Sequence, residues 1–263
     1  MRPLLLCCLL AILATGEAPV RLAETHPEQA VALLRAASRA LVTARPDQLA
    51  VLADQGDALA RRVHLGGWRV PGREALGLVW RTLERGDTLS RLAARHGTPY
   101  DLLVRLNPGV DPRRLAVGAR LAVLDAKSVP LRLDIRLAAA RLLVWRGEVL
   151  VLACPIGIGA GGTPTPTGTT RLAVRAKDPE WRDPVSGKVH PPRSPGNLLG
   201  GYWLGFDPGP DNRFRSIGCH GWTGADPAQW LGKGGSRGCL RLRQQDIADL
   251  YDLLLPGTTV EIR

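Results

Sequence analysis

The chain has 263 residues, enough for one sizeable core or two small ones, so two or three modules are expected. Its formal charge of +11 comes mostly from arginines spread along the whole length, neither in blocks nor interleaved with aromatics, which argues against nucleic acid as a partner. A basic surface of this kind suits anionic polymers or lipid headgroups outside the cytoplasm, or is simply a solvated face. Beyond the N-terminus no apolar stretch reaches about 18 residues, so no integral membrane span is expected.

Arg2, the apolar run Leu4–Leu13 and the small residues Ala14, Thr15 and Gly16 read as a secretory signal over residues 1–16, with the mature chain starting near Glu17. A run of that length is too short to cross a bilayer as a helix. Cys7 stands too near the start for a lipoprotein cysteine. Removing the signal reduces five cysteines to three: Cys154, Cys219 and Cys239. That is too few for a disulfide-built scaffold, and the odd count leaves at least one free thiol. A bridge between Cys154 and Cys219 stays open, since it requires Cα atoms about 5.5 Å apart.

Residues 17–64 are rich in Ala, Leu and Arg and predict a helical hairpin. Ala30, Leu33, Leu34, Ala37 and Leu41 keep helical spacing, as do Leu49, Leu52, Leu59 and Val63, with a break at Arg45-Pro46-Asp47. Residues 65–77, with Gly66, Gly67, Pro71 and Gly72, read as a linker.

Residues 78–124 predict a strand, two short helices and a returning strand. Leu78–Leu83 is strand-like. Asp87 is expected to cap a helix carrying Leu89, Leu92 and Ala93 inward, and Gly97 to end it. Thr98 is expected to cap the second helix, with Leu102, Leu103 and Leu106 inward and Asn107-Pro108 as its stop. Leu121–Leu124 returns as a strand. Gly86-Asp87-Thr88-Leu89-Ser90, Leu106-Asn107-Pro108 and Gly118-x-x-Leu121 resemble the LysM family. The resemblance implies a small βααβ domain that binds N-acetylglucosamine-containing glycans, with Gly86, Asp87, Thr88, Asn107 and Pro108 as contacts. The alternative is that Asp87, Thr98 and Asn107 serve as caps and turns.

From Val129 to the C-terminus the pattern is β. Leu131, Leu133, Ile135 and Leu137 alternate with polar residues, and Leu142–Trp145 and Val149–Cys154 form a hairpin around Arg146-Gly147. Leu172–Val174, Trp203–Phe206 and Val260–Ile262 are further short strands, and Asp246–Leu254 a helix. A mostly antiparallel β domain over 129–263 follows. Within it, Gly157–Gly162 satisfies Gly-x-Gly-x-x-Gly after a strand. A dinucleotide site would need a helix to start there, and Thr163-Pro164-Thr165-Pro166-Thr167-Gly168 cannot open one.

His220 stands 19 positions before Cys239, in Cys219-His220-Gly221-Trp222 and Ser236-Arg237-Gly238-Cys239-Leu240-Arg241-Leu242. A thiol becomes a strong nucleophile once an imidazole takes its proton. The two segments, the Thr-Pro-Thr-Gly stretch after the glycines, and Pro195–Gly200 before Tyr202-Trp203-Leu204-Gly205 together resemble the YkuD family of L,D-transpeptidases. The resemblance implies a YkuD-like β-sandwich with a C-terminal helix. It implies Cys239 as nucleophile, His220 as its base held by the Gly221 carbonyl, Ser236 steadying the pair, and the Gly238 and Cys239 amides as oxyanion donors. Arg241, Arg237 and Trp222 would meet substrate. Position 237 departs from the family in carrying Arg where many members carry His, and Arg cannot serve as a base. Trp203, Trp222 and Trp230 line the cleft or fill the core, the core being expected for at least two. His26, His64, His96 and His190 lack a partner pattern. Cys219, His220 and Cys239 do not have metal-ligand spacing, so neither metal nor cofactor is expected.

The implied activity is a cysteine acyltransferase outside the cytoplasm, in the periplasm or cell wall. Its partners would be peptidoglycan stem peptides and glycan strands, with a wall-anchored lipoprotein as a further acceptor. A hydrolase on the same scaffold and a non-catalytic glycan-binding protein are the rivals.

Overall fold

A computed structural model of the chain describes residues 19–66 and 70–263. The expected signal and the centre of the linker lie outside the described residues. The chain divides into two compact units, one holding the residues up to Leu131 with Leu143–Ala153, the other Arg132–Leu142 with Cys154–Arg263.

The first unit begins with helices α1 (Pro19–Thr25), α2 (Ala30–Thr43) and α3 (Pro46–His64). The expected hairpin is α2 and α3, broken where Pro46 takes the first helical position of α3. α1 packs on both as an unpredicted third helix. Leu33, Leu34, Leu41, Leu49, Leu59 and Val63 form their buried stripe. Two polar side chains of the bundle bind the main chain of the hairpin arm Val149–Ala153: Ser38 Oγ accepts from Leu150 N at 2.9 Å and Asp57 Oδ1 from Ala153 N at 2.7 Å. An edge strand thereby has backbone donors satisfied by helices.

The same unit contains the βααβ module: β1 (Leu78–Thr82), α4 (Leu89–His96), α5 (Tyr100–Leu106) and β2 (Arg120–Leu124). β1 and β2 pair antiparallel, and Leu83, Leu89, Leu92, Leu103, Leu121 and Val123 make a core beneath the helices. The caps differ from those expected. Thr88 is the N-cap of α4, its side chain accepting from Arg91 N at 3.1 Å. Asp87 stands one residue too early, and its carboxylate accepts from Glu84 N and Arg95 instead. Pro99, not Thr98, is the N-cap of α5; Thr98 Oγ1 donates to Leu124 O at 2.6 Å, tying the helix entry to the returning strand.

The second unit is mainly β. Its strands β3 (Leu131–Arg136), β7 (Gly168–Lys177), β10 (Tyr202–Phe206), β11 (Gly218–Gly221), β13 (Leu240–Leu242) and β14 (Thr259–Ile262) neighbour one another in the order β13-β11-β10-β7-β14-β3. The β10–β11, β7–β10 and β7–β14 pairs are antiparallel and the β11–β13 and β14–β3 pairs parallel, so the sheet is mostly antiparallel, as expected, with parallel pairs set into it. Helix α7 (Gln244–Leu253) packs on β10 and β11. Its Ile247, Leu250 and Leu253 are buried, as are Leu204, Cys219, Leu240 and Leu242 of the sheet. β7 is far longer than the expected Leu172–Val174 because it pairs with β14 over its first half and β10 over its second.

Candidate active site

Strand alternation decides which side chains meet. Trp203 pairs with His220 and His220 with Arg241, so the three share one face, and Cys239, two positions before Arg241, shares it too. Leu204, Cys219 and Leu240 form the next row and face the other way. Cys219 therefore cannot join His220 and Cys239 around one metal ion. Cys154 and Cys219 are both buried, and no disulfide joins them.

The His220 ring is buried, with Nδ1 2.5 Å from Gly221 O. A neutral imidazole facing a carbonyl with Nδ1 carries its proton there and leaves Nε2 as acceptor. Burial lowers the imidazole to about 4, helped by the Arg241 charge and opposed by the Gly221 carbonyl. Trp203 and Trp222 flank the ring, with centroids at 6.0 and 6.2 Å. Only Trp230 of the three tryptophans is buried, its indole N–H donating to Ala225 O. Trp203 and Trp222 are half-buried beside the His220 ring, so one of the three is a core tryptophan where at least two were expected.

Cys239 follows a turn built by Ser236. Ser236 Oγ donates to Cys239 O at 2.5 Å and accepts from Gly238 N at 3.1 Å. Gly238 sits at φ +103°, a backbone conformation that strains any residue with a Cβ, and a Cβ there would also push Ile217 Cδ1, 2.8 Å away, aside. The Gly238 amide, expected as an oxyanion donor, is thus already spent on Ser236; the Cys239 amide remains. The thiol donates to Ser216 O at 3.3 Å rather than to His220. Burial pushes it above the ordinary thiol range, against the opposing influence of the Gly218 amide and Arg241. Behind the turn, Thr163 Oγ1 and Ala160 N both donate to Ser236 O, at 2.9 Å, joining the Gly-rich and Thr-Pro segments to the cysteine loop.

The Arg241 guanidinium stacks on Trp222, 3.7 Å from the ring centroid, with its Nε buried and lacking a hydrogen-bond partner among the described residues. Arg237 is exposed, and its Nη1 reaches Pro184 O at 3.5 Å, in the turn between β8 (Trp181–Arg182) and β9 (Val189–His190). Asp183, Pro184, Ser186 and Gly187 between Trp181 and His190 were a legible turn signal for that hairpin. The left-handed Ser216, φ +61°, whose carbonyl receives the thiol, had none.

In the βααβ module, Gly86, Thr88 and Pro108 are exposed. Asn107 is not available to a ligand: its Nδ2 donates to Leu103 O and Ala122 O, and its Oδ1 accepts from Ala122 N, each at 2.8 Å. Asp87 likewise spends its carboxylate on Glu84 N and the Arg95 guanidinium, and the Thr88 hydroxyl oxygen accepts from Arg91 N.

Residues 130–262 match the L,D-transpeptidase catalytic domain family YkuD. The chain belongs to that family. Residues 82–123 match the LysM domain. Among similar proteins, the "Putative L,D-transpeptidase YkuD" of Bacillus licheniformis is 27% identical over 180 residues, 67% of this chain and 94% of that protein. The "Probable L,D-transpeptidase ErfK/SrfK" of Salmonella typhimurium is 31% identical over 191 residues, 66% of this chain and 59% of that one. An L,D-transpeptidase structure from Mycobacterium smegmatis aligns with a TM-score of 0.41 at 14% identity, over 56% of this chain and 64% of that one. In this YkuD domain the arginine at position 237 points its charge toward the β8–β9 turn, while His220 is the imidazole on the face of Cys239.

Proposed function

We propose that the protein is a peptidoglycan L,D-transpeptidase whose nucleophile is Cys239. The observation that carries the reading is the His220 ring, fixed by Gly221 O on the same sheet face as Cys239. Turning the thiol off Ser216 O brings its proton to Nε2. Sulfur attacks the carbonyl between the third residue of a tetrapeptide stem and its terminal D-Ala. The C–N bond breaks, and D-Ala leaves with the proton from His220, giving a thioester. An acceptor amine then bonds to the thioester carbon, the C–S bond breaks, and the amine's proton passes through His220 to sulfur. A second stem as acceptor gives a 3→3 cross-link; a wall-anchored lipoprotein gives an attached protein; water would give a trimmed stem.

The Cys239 amide donates to the developing oxyanion, while Ser236 and Gly238 hold the turn in shape. Arg241, with its orphaned Nε beside the thiol and its plane set by Trp222, binds a substrate carboxylate. Arg237 positions the β8–β9 hairpin. The LysM module retains the enzyme on glycan strands through the exposed Gly86–Thr88 turn and Pro108, raising the local concentration of stems. The reading places the mature protein in the periplasm or wall.

The test is intact mass after incubation with a carbapenem, a β-lactam that acylates the nucleophile of this family. The wild type is expected to gain one stable adduct and Cys239→Ala none. Folded, reduced wild type without an adduct would sink the enzymatic reading and leave glycan binding.

A further inference from the structure

A polar face of the second unit's sheet lies on strands β3, β14 and β7, and its side chains follow from alternation. Leu133 and Ile135 of β3 are buried, as are Val260 and Ile262 of β14, so the residues between them point the other way. Arg132 pairs with Thr259, and Thr259 with Arg171; Asp134 pairs with Glu261, and Glu261 with Thr169. Two rows therefore cross three strands on one face, Arg132–Thr259–Arg171 and Asp134–Glu261–Thr169. Arg136 and Arg263 extend it at the next position, where Arg263 N donates to Ile135 O. Thr169, Arg171, Thr259 and Arg263 are exposed, and the rows hold no aromatic or large apolar side chain.

One buried carboxylate organises the cations. Asp134, its side chain 1% exposed, accepts from Arg136 Nε at 2.8 and 3.0 Å and from Arg263 Nη2 at 3.2 Å, and Arg132 Nη1 lies 4.0 Å away. A single guanidinium neutralises one carboxylate; three are gathered here. Arg263 also reaches Glu261, at 3.9 Å, and Arg171 Nη1 donates to Gly257 O at 3.4 Å. Four arginines against two acids leave the face with surplus positive charge, on side chains whose directions are set before any ligand arrives. Arg132 and Arg171, one strand to either side of Thr259, stand about 10 Å apart at the backbone, within reach of one anion above the Thr259 hydroxyl. Arg136 and Arg263 repeat the charge further along the strands.

We infer that this face docks a linear polyanion built on a polyol, its phosphodiesters on the arginines and its hydroxyls on Thr169, Thr259 and the Glu261 carboxylate. Charge repeated along the strands suits a chain over a single small anion, and acceptors set among the arginines suit the hydroxyls of a polyol. A membrane surface is met by apolar side chains that enter the lipid, and a single-stranded nucleic acid by aromatics on which its bases stack; the rows offer neither. The face stands apart from the row Trp203–His220–Arg241. Docking there holds the protein on such a polymer independently of the LysM module and of the acyl-transfer chemistry.

The test is the affinity of the full-length protein for a fluorescent glycerol phosphate oligomer over a series of salt concentrations. The wild type should bind, and the double variant Arg132→Ala/Arg171→Ala should raise the Kd about tenfold or more. Its dependence of log Kd on log salt should flatten by about one unit of slope for each arginine lost. Arg21→Ala/Arg39→Ala removes the same charge from exposed positions on α1 and α2 and should leave the Kd near the wild-type value. Equal weakening in the two double variants would reduce the effect to net charge and overturn the site, as would a wild type that does not bind. Phosphatidylglycerol vesicles are the other arm: binding to them that is as tight per phosphate, and lost in Arg132→Ala/Arg171→Ala, would assign the face to lipid and overturn the polymer. Melting temperature and carbapenem acylation should stay as in the wild type. Arg171→Ala alone reads the site if the double variant does not fold, and an unchanged Kd there overturns the proposal.

Discussion

At the scale of single residues, the proposed reaction divides its work between His220 and Cys239 by their surroundings. A base must be neutral before it can take a proton, and an imidazole lowered to about 4 is neutral throughout the neutral range. The half-buried thiol is pushed the other way, so in the proposed reaction thiolate is scarce until His220 removes the proton. The rate of carbapenem acylation should therefore lose its acid side near pH 4, not near the ordinary histidine value, and keep climbing into the alkaline range. A profile from pH 3.5 to 9.5 with an acid limb near 6.5 would contradict this electrostatic picture. Ser236 acts through the turn. Ser236→Ala removes the group that joins Cys239 O to Gly238 N, and leaving buried polar groups unpaired costs about 1–3 kcal/mol. Adduct formation should slow roughly tenfold or more, with the melting temperature showing how much of that is lost fold.

At the scale of elements, the LysM module shows how one side chain can replace a ladder of contacts. Asn107 bridges the end of α5 to β2 through three hydrogen bonds. Asn107→Ala should destabilise the module by about 1–3 kcal/mol, visible in denaturant unfolding, while carbapenem acylation at Cys239 stays as in the wild type. Helix spacing, the Pro46 break and the βααβ order were legible because each is written in neighbouring residues. The caps slipped by one residue, at Thr88 and Pro99, because Asp, Thr and Pro all favour helix starts and only backbone geometry chooses among adjacent candidates. The short strands β11 and β13 were not read as strands at all. Gly218–Gly221 and Leu240–Leu242 are too brief for an alternating pattern, and their parallel pairing joins segments far apart in sequence.

At the scale of the whole molecule, the balance of buried titratable groups sets acid tolerance. His64 is fully buried in the first unit, and burial, with the nearby Arg146 charge, lowers it to about 3. The unfolded chain binds a proton near pH 6.5 that the folded chain refuses. Stability is therefore complete above 6.5 and falls as pH drops toward 3, on the order of 2–3 kcal/mol by pH 4 from this residue. Melting temperatures at pH 7 and pH 4 should differ by several degrees, and His64→Leu should narrow the gap. An unchanged gap would assign acid sensitivity elsewhere, with His220 the next group of the same sign.

Sequence alone carried family membership and the expected nucleophile–base pair in the residues around His220 and Cys239, and the LysM domain in Gly86–Ser90, Leu106–Pro108 and Gly118–Leu121, because each rests on residue types at short fixed spacings. Tertiary structure decided what those residues face. The pairing of β10, β11 and β13 sent Cys219 to the buried side and gathered Trp203, Trp222 and Arg241 around the imidazole. It engaged the Gly238 amide with Ser236 and turned the thiol to Ser216 O. Spacing along a chain fixes chemistry within a loop. Which face of a sheet a side chain occupies depends on register between distant strands, and register is set only when they pack.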